Sequence, residues 1–164
     1  MAAHSYDRLE GVIWYDGKLV PWNEANVHVL THGLHYASCV FEGERAYGGQ
    51  IFKSTEHSER LKRSANILDF DIPYSVAEID AAKKLVVDRN GRKEAYVRPI
   101  AWRGSEMMGV SAQSNTIHFA IRAGNGQAIL ILSNGSRESV STLRTIAAPI
   151  RKRRHASPRL PAST

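Results

Sequence analysis

One cysteine, Cys39, among 164 residues leaves no intramolecular disulfide to form, and a lone thiol points to a reducing cytoplasm. Long hydrophobic runs are missing too. Stretches such as residues 128–132 fall far short of the roughly 20 residues a membrane helix requires, so no membrane anchor is expected. The opening MAAHSYDRLEG has neither the basic nor the apolar region of a signal peptide. Acidic residues are scarce in one place only. Through Ile121, 14 Lys/Arg face 15 Asp/Glu, whereas from Arg122 onward 8 face 1, so the net charge of +6 belongs to the tail. A basic surface spread over a folded domain is thereby excluded, and with it the usual electrostatic signature of a nucleic-acid-binding fold.

What is present suits a single domain with a sizeable core, at 43% hydrophobic and 23% charged residues. VIWYDGKLVPW reads as a hairpin, because Asp16-Gly17 separates two runs rich in aromatic and β-branched residues. CVFEGERAY and QIFKS flank Gly48-Gly49 and predict a second hairpin. From Thr55, Leu61, Ala65 and Leu68 recur at helical spacing beside Ile67, with Glu59, Lys62 and Arg63 left to face water. A second helix starts at Ser75, where Glu78 completes a capping box, and runs through Ile79, Ala82 and Leu85 to Asn90-Gly91. AYVRPIAW and NTIHFAI read as strands around the loop RGSEMMGVSAQS, with Pro99 demanding a sheet edge or a strand end. Together these predict an α+β domain over residues 1–121. Residues 122–164 show no sustained period, end Pro-, Ser- and Arg-rich, and are expected to be largely unstructured.

Several residues bear on chemistry. His28, His32 and His35 carry a spacing compatible with metal ligation only on a helix joined by carboxylates, so packed loop histidines are the favoured reading and no metal is expected. Cys39 reads as a small buried thiol, since nothing fixes a base beside it. Tyr96 and Arg98, two apart on a strand, project to one face, where a phenol and a guanidinium can hold a carboxylate; a solvated strand face has the same spacing. Arg60 on its helix is either a phosphate clamp or plain surface. The loop GSEMMGV suits a pocket wall or ordinary packing equally.

A resemblance separates these alternatives. IWYDGKLVPWNEANVHVLTHGLHYASCVFEGERAYGG, EHSERLKRSANIL and YVRPIAWRGSEMMGVSAQ, in uninterrupted order over residues 12–121, resemble the N-terminal domain of branched-chain amino acid aminotransferases of the fold-type IV pyridoxal-phosphate class. The resemblance implies that Tyr36, Phe41, Gly43 and Arg45 help to wall a substrate pocket, part of their stretch reaching across a homodimer interface. It implies Arg60 for the cofactor phosphate, Tyr96 and Arg98 for the side-chain carboxylate of glutamate, and Met108 and Val110 for apolar lining. The implied reaction moves an amino group between leucine, isoleucine or valine and 2-oxoglutarate. A pocket that admits aliphatic and anionic side chains in turn needs an apolar wall beside an arginine.

Such chemistry also needs a lysine amine to hold pyridoxal phosphate. Lys18, Lys53, Lys62, Lys83, Lys84 and Lys93 stand at none of the family's catalytic positions, and Lys152 has an unrelated context. No catalytic residue is therefore assigned, and the chain alone is expected to be inactive. Permitted codons for residues 153–164, read two bases on, spell APRIAKAAGLY, which resembles the family's lysine segment; a frameshift near residues 122–127 is the expectation that follows. Two other roles compete: a non-catalytic dimerisation module, and a nucleic-acid binder using RKRRH, which lacks interleaved aromatics.

Overall fold

The computed structural model describes residues 5–124. Its strands are β1 (Val12–Tyr15), β2 (Lys18–Pro21), β3 (Cys39–Phe41), β4 (Glu44–Tyr47), β5 (Gln50–Ile51), β6 (Ala95–Arg103) and β7 (Ile117–Gly124). Its helices are α1 (His32–Tyr36), α2 (Ser54–Ile67) and α3 (Val76–Arg89). The strands form one antiparallel sheet in the order β2-β1-β7-β6-β4-β5, with β3 also pairing β6. This is the expected α+β architecture. Among the described residues no helix is long and apolar enough to cross a membrane. The expectations for residues 125–164, including the unstructured tail and RKRRH, lie outside the described residues.

Both hairpins form where the turn chemistry placed them. Asp16 and Gly17 take φ of 45° and 93°, and Gly48 and Gly49 take 57° and 80°, the paired positive values that match a two-residue turn to the twist of its strands. The Asp16 carboxylate also accepts the Phe119 N–H at 2.7 Å, tying the first turn to β7. The capping box of α3 is complete: Ser75 Oγ accepts the Glu78 N–H at 3.2 Å and the Glu78 carboxylate accepts the Ser75 N–H at 2.7 Å. At its other end Asn90 bonds Val12 in both directions, through 2.9 and 3.0 Å contacts, and so fastens α3 to β1.

Alternate residues of the strands face opposite ways. Ala95, Val97 and Ala101 of β6 and Phe119, Ile121 and Ala123 of β7 are buried in the core with Leu61 and Ala65 of α2 and Ile79, Ala82, Val86 and Val87 of α3. Their neighbours Tyr96, Arg98, Ile100, Ala120 and Arg122 look the other way, onto the face opposite α2 and α3, where α1 and the segment before it lie.

Four expectations need correction. Pro99 sits inside β6, which is paired on both sides. In an antiparallel ladder one residue's N–H and C=O point to the same neighbour. The Pro99 carbonyl accepts the Glu42 N–H at 3.0 Å, so the missing donor falls where the outer strand breaks between β3 and β4. CVFEGERAY is therefore two strands, not one. Ile67 and Leu85 are exposed, while Lys83 is fully buried. Lys62 does not simply face water: its amine donates to the carbonyls of Ile72 and Tyr74 at 2.9 and 2.8 Å.

Lys83 is tolerated in the core because every proton on it is used. It donates to Glu44 at 2.9 and 3.2 Å, to Ser58 Oγ at 2.7 Å and to the Ser54 carbonyl at 2.9 Å, with Asp80 at 3.1 Å. Burial still pushes the Glu44 carboxyl above its ordinary value, outweighing the nearby ammonium. The network locks β4, α2 and α3 together.

Candidate functional site

The uncovered face carries most of the predicted site. Arg98 donates to the Tyr96 hydroxyl through Nε at 3.3 Å and Nη2 at 2.9 Å, and its guanidinium lies 4.4 Å above the Phe41 ring. Strand pairing sets Arg45 opposite Tyr96, with its guanidinium 5.7 Å from the Tyr47 ring. Gly43 makes the arrangement possible: a Cβ there would stand 2.5 Å from the Tyr96 hydroxyl, so only glycine lets the phenol lie against the β3–β4 break. Phe41, Gly43, Arg45, Tyr96 and Arg98 thus form one contiguous patch, in which a guanidinium and a phenol lie side by side, a pairing whose chemistry can bind a carboxylate.

Tyr36 and Met108 meet elsewhere. The Tyr36 hydroxyl donates to the Met108 carbonyl at 3.1 Å, and its ring stacks on His32 with centroids 4.5 Å apart. His32 bonds Ser38 Oγ at 2.7 Å and the Gly109 carbonyl at 3.1 Å, which pins α1 to the loop between β6 and β7. Val110, on that loop, is 82% exposed. His28 accepts the Leu30 N–H and His35 bonds the Val29 carbonyl, so the three histidines each have a separate partner.

Arg60 is engaged as well. Its Nε and Nη2 form a fork of two 2.6 Å bonds to the Glu42 carboxylate, which also takes His57 Nδ1 at 2.9 Å. Burial alone would push the Glu42 carboxyl up; the Arg60 and His57 bonds outweigh it and hold it below its ordinary value. Glu42 was not singled out by sequence reasoning, although it stands between Phe41 and Gly43 and is buried. Arg103 was missed too. It is buried, donates to the Ala112 carbonyl at 2.6 Å and to the Asp69 carbonyl, and ties the β6–β7 loop to the end of α2.

A cavity of about 290 Å³ opens on the same face, between β1, β6 and β7 and residues 25–34. Arg98 is the one predicted site residue that lines it; Ile13, Val27, Leu34, Ile100 and Trp102 make much of the rest. Cys39 also lines it, half-buried rather than buried, and burial pushes its thiol above the ordinary value, away from the thiolate a nucleophile needs.

Among the described residues Arg60 is a cation whose Nε and Nη2 are bonded to Glu42, and no amine stands at the cavity for pyridoxal phosphate. Lys53 pairs with Glu56, Lys62 holds two carbonyls, Lys83 is sealed in the core, Lys84 pairs with Asp88, and no lysine lines the cavity. The described residues therefore do not fit a covalently held cofactor.

Comparison with known proteins adds to this geometry. The model of the family described as amino-transferase class IV matches residues 39–153, a span that runs past Ile121. A branched-chain-amino-acid aminotransferase of Pseudomonas aeruginosa is 48% identical over 118 residues, covering 70% of this chain and 38% of that protein. The solved branched-chain amino acid aminotransferase of Escherichia coli superposes with a TM-score of 0.69 at 35% identity, covering 73% of this chain and 42% of that one. The branched-chain aminotransferase of the archaeon Thermoproteus uzoniensis, solved with norvaline, gives 0.67 at 37% identity, covering 70% and 40%. The chain thus spans about two-fifths of the length of the relatives it matches.

Proposed function

Because this chain belongs to the amino-transferase class IV family, we propose that it is the substrate-recognition domain of a branched-chain amino acid aminotransferase. Its own part is to orient an anionic side chain against Tyr96 and Arg98 and to wall an aliphatic one with Phe41 and Gly43. The observation that carries this reading is the Arg98–Tyr96–Phe41 patch, with Gly43 beneath it, on the sheet face opposite α2 and α3. Substrates of the whole enzyme are leucine, isoleucine or valine with 2-oxoglutarate, and its cofactor is pyridoxal phosphate, whose aldehyde supplies the electron sink of transamination.

Within this reading Arg60 receives the cofactor phosphate, Arg45 and Tyr36 help to wall the pocket in a stretch that reaches towards a second copy in a homodimer, and Met108 and Val110 supply its apolar lining. Exposure of Val110 at 82% and Met108 at 50% suits residues covered only on assembly. The lone, unbridged Cys39 suits a cytoplasmic protein. The chain itself provides recognition without the amine, so we assign it no turnover.

The test is an assay of the purified 164-residue chain with pyridoxal phosphate, leucine and 2-oxoglutarate. No leucine-dependent glutamate is expected, and no new visible absorbance band should form with the cofactor. Appreciable glutamate formation would overturn the assignment.

A further inference from the structure

We propose that Glu42 is a positioning residue: its carboxylate, tethered to α2 by Arg60 and His57, fixes the stretch of strand that keeps Arg98 bonded to Tyr96 and seated on Phe41. What that arrangement is for rests on the reading above; the tether itself rests on contacts outside it.

The ladder between β6 and its outer neighbours has one weak point. Phe41 stands opposite Ile100 and Glu44 opposite Val97, so the same register sets Glu42 opposite Pro99 and Gly43 opposite Arg98. A hydrogen-bonded antiparallel pair exchanges two backbone bonds. Pro99 has no N–H to give, which leaves the bond from the Glu42 N–H to the Pro99 carbonyl, at 3.0 Å. Gly43, next along, has the widest backbone freedom of any residue. Backbone pairing is therefore loosest where Phe41 must meet Arg98 and Gly43 must meet the Tyr96 hydroxyl.

The Glu42 side chain supplies what the ladder lacks. By alternation it leaves the strand on the side away from Phe41, the side on which Val40 and Glu44 are buried. There Arg60 and His57, three apart on α2 and hence on one face of it, converge on the carboxylate. Arg60 Nε and Nη2 form the fork of two 2.6 Å bonds, and His57 Nδ1 stands at 2.9 Å. A fork fixes the plane of a carboxylate as well as its place. An apolar side chain would fill the space without fixing an angle, and a buried carboxylate is tolerated only with such partners. The Glu42 side chain is 7% exposed against 58% for Arg60, so the carboxylate is the end set into the protein and the arginine closes over it from the helix. Cut loose from α2, the stretch is free to shift, carrying the Phe41 ring away from Arg98 and Gly43 away from Tyr96.

The test is NMR of the full 164-residue chain with labelled arginine, following the Arg98 Nε–H. That group donates to Tyr96 at 3.3 Å and belongs to a guanidinium 4.4 Å above the Phe41 ring. Its resonance therefore carries the ring's shift, which Phe41→Leu removes and thereby identifies. Glu42→Gln, equal in size and without the charge, should move the signal towards its place in Phe41→Leu. It should also speed exchange of the Nε–H with water about tenfold, as loss of one hydrogen bond of ordinary strength would. A role in stability alone would lower the melting temperature and leave signal and exchange as they are, and that result overturns the proposal. Should Glu42→Gln fail to fold, Arg60→Met keeps the carboxylate and cuts only the fork; it should move the same signal, and an unmoved signal overturns the proposal there too. No ligand takes part, so the two readings fail separately: a parent chain that takes up no glutarate removes the carboxylate role of Arg98 and Tyr96 without touching Glu42.

Discussion

One face of the sheet is closed by two helices and the other is open, although the same strands supply both. On the closed side β6 and β7 contribute Ala95, Val97, Ala101, Phe119, Ile121 and Ala123, small or purely apolar residues that admit α2 and α3. On the open side the intervening positions are Tyr96, Arg98, Ile100, Trp102, Ala120 and Arg122, and the cavity lies against them. The closed face contains charge as well, but Lys83 and Glu44 are satisfied by each other and by Ser58 and Ser54. Charge on the open face is not matched in that way. The difference separates polar groups that hold the fold together from polar groups held by the fold for something else.

The comparison breaks most visibly at Lys83. Lys83→Met removes the ammonium and leaves the buried Glu44 carboxylate without its cation, a loss of about 3–5 kcal/mol by analogy with other buried pairs cut on one side. Urea unfolding of the variant measures it. Replacing Glu44 with Leu in the same chain should recover most of the loss, because the cost lies in the orphaned charge rather than in the missing bond. A single variant as stable as the parent would mean that the closed face does not depend on its internal ion pair.

Next comes Gly43, at the border between the faces. Gly43→Ala sets a methyl group 2.5 Å from the Tyr96 hydroxyl, which must shift and disturb its bonds from Arg98. Overpacking of this kind costs about 1–3 kcal/mol. A Tyr96→Phe background should reduce the penalty, since the clashing oxygen is gone, and thermal unfolding of the single and double variants measures the coupling.

Much of this was legible in the chain, and the reason is locality. Asp16-Gly17, Gly48-Gly49 and the Ser75–Glu78 capping box act through neighbours within three residues, so their turns and helix start could be read directly. Lys83 could not. Its partners Glu44 and Ser58 lie 39 and 25 positions away, and on helical spacing alone it passes for a solvated residue while Leu85 passes for core. Pro99 misled for a related reason: its tolerance inside β6 depends on the gap between β3 and β4, a feature of the neighbouring strand. In the candidate site the Tyr96–Arg98 pair followed from period-two alternation. Their juxtaposition with Phe41 and the need for Gly43 came from pairing across strands. Arg122 was assigned to the tail on charge, yet it completes β7 opposite Arg98.

The smallest effect is expected at Arg98, and its smallness is the point. Arg98 is half-buried, bonded to Tyr96 and seated on Phe41, contacts that elsewhere contribute about 0.5–1 kcal/mol for an exposed cation over an aromatic ring. Removing it also removes repulsion from Arg122, whose guanidinium faces the same cavity. The two terms oppose, so Arg98→Met should change unfolding free energy by less than about 1 kcal/mol in either direction. A loss comparable to that of Lys83→Met would place Arg98 among the groups that hold the domain together. Near-neutrality leaves the open face with arginines the fold does not need, which is the property expected of groups reserved for a ligand.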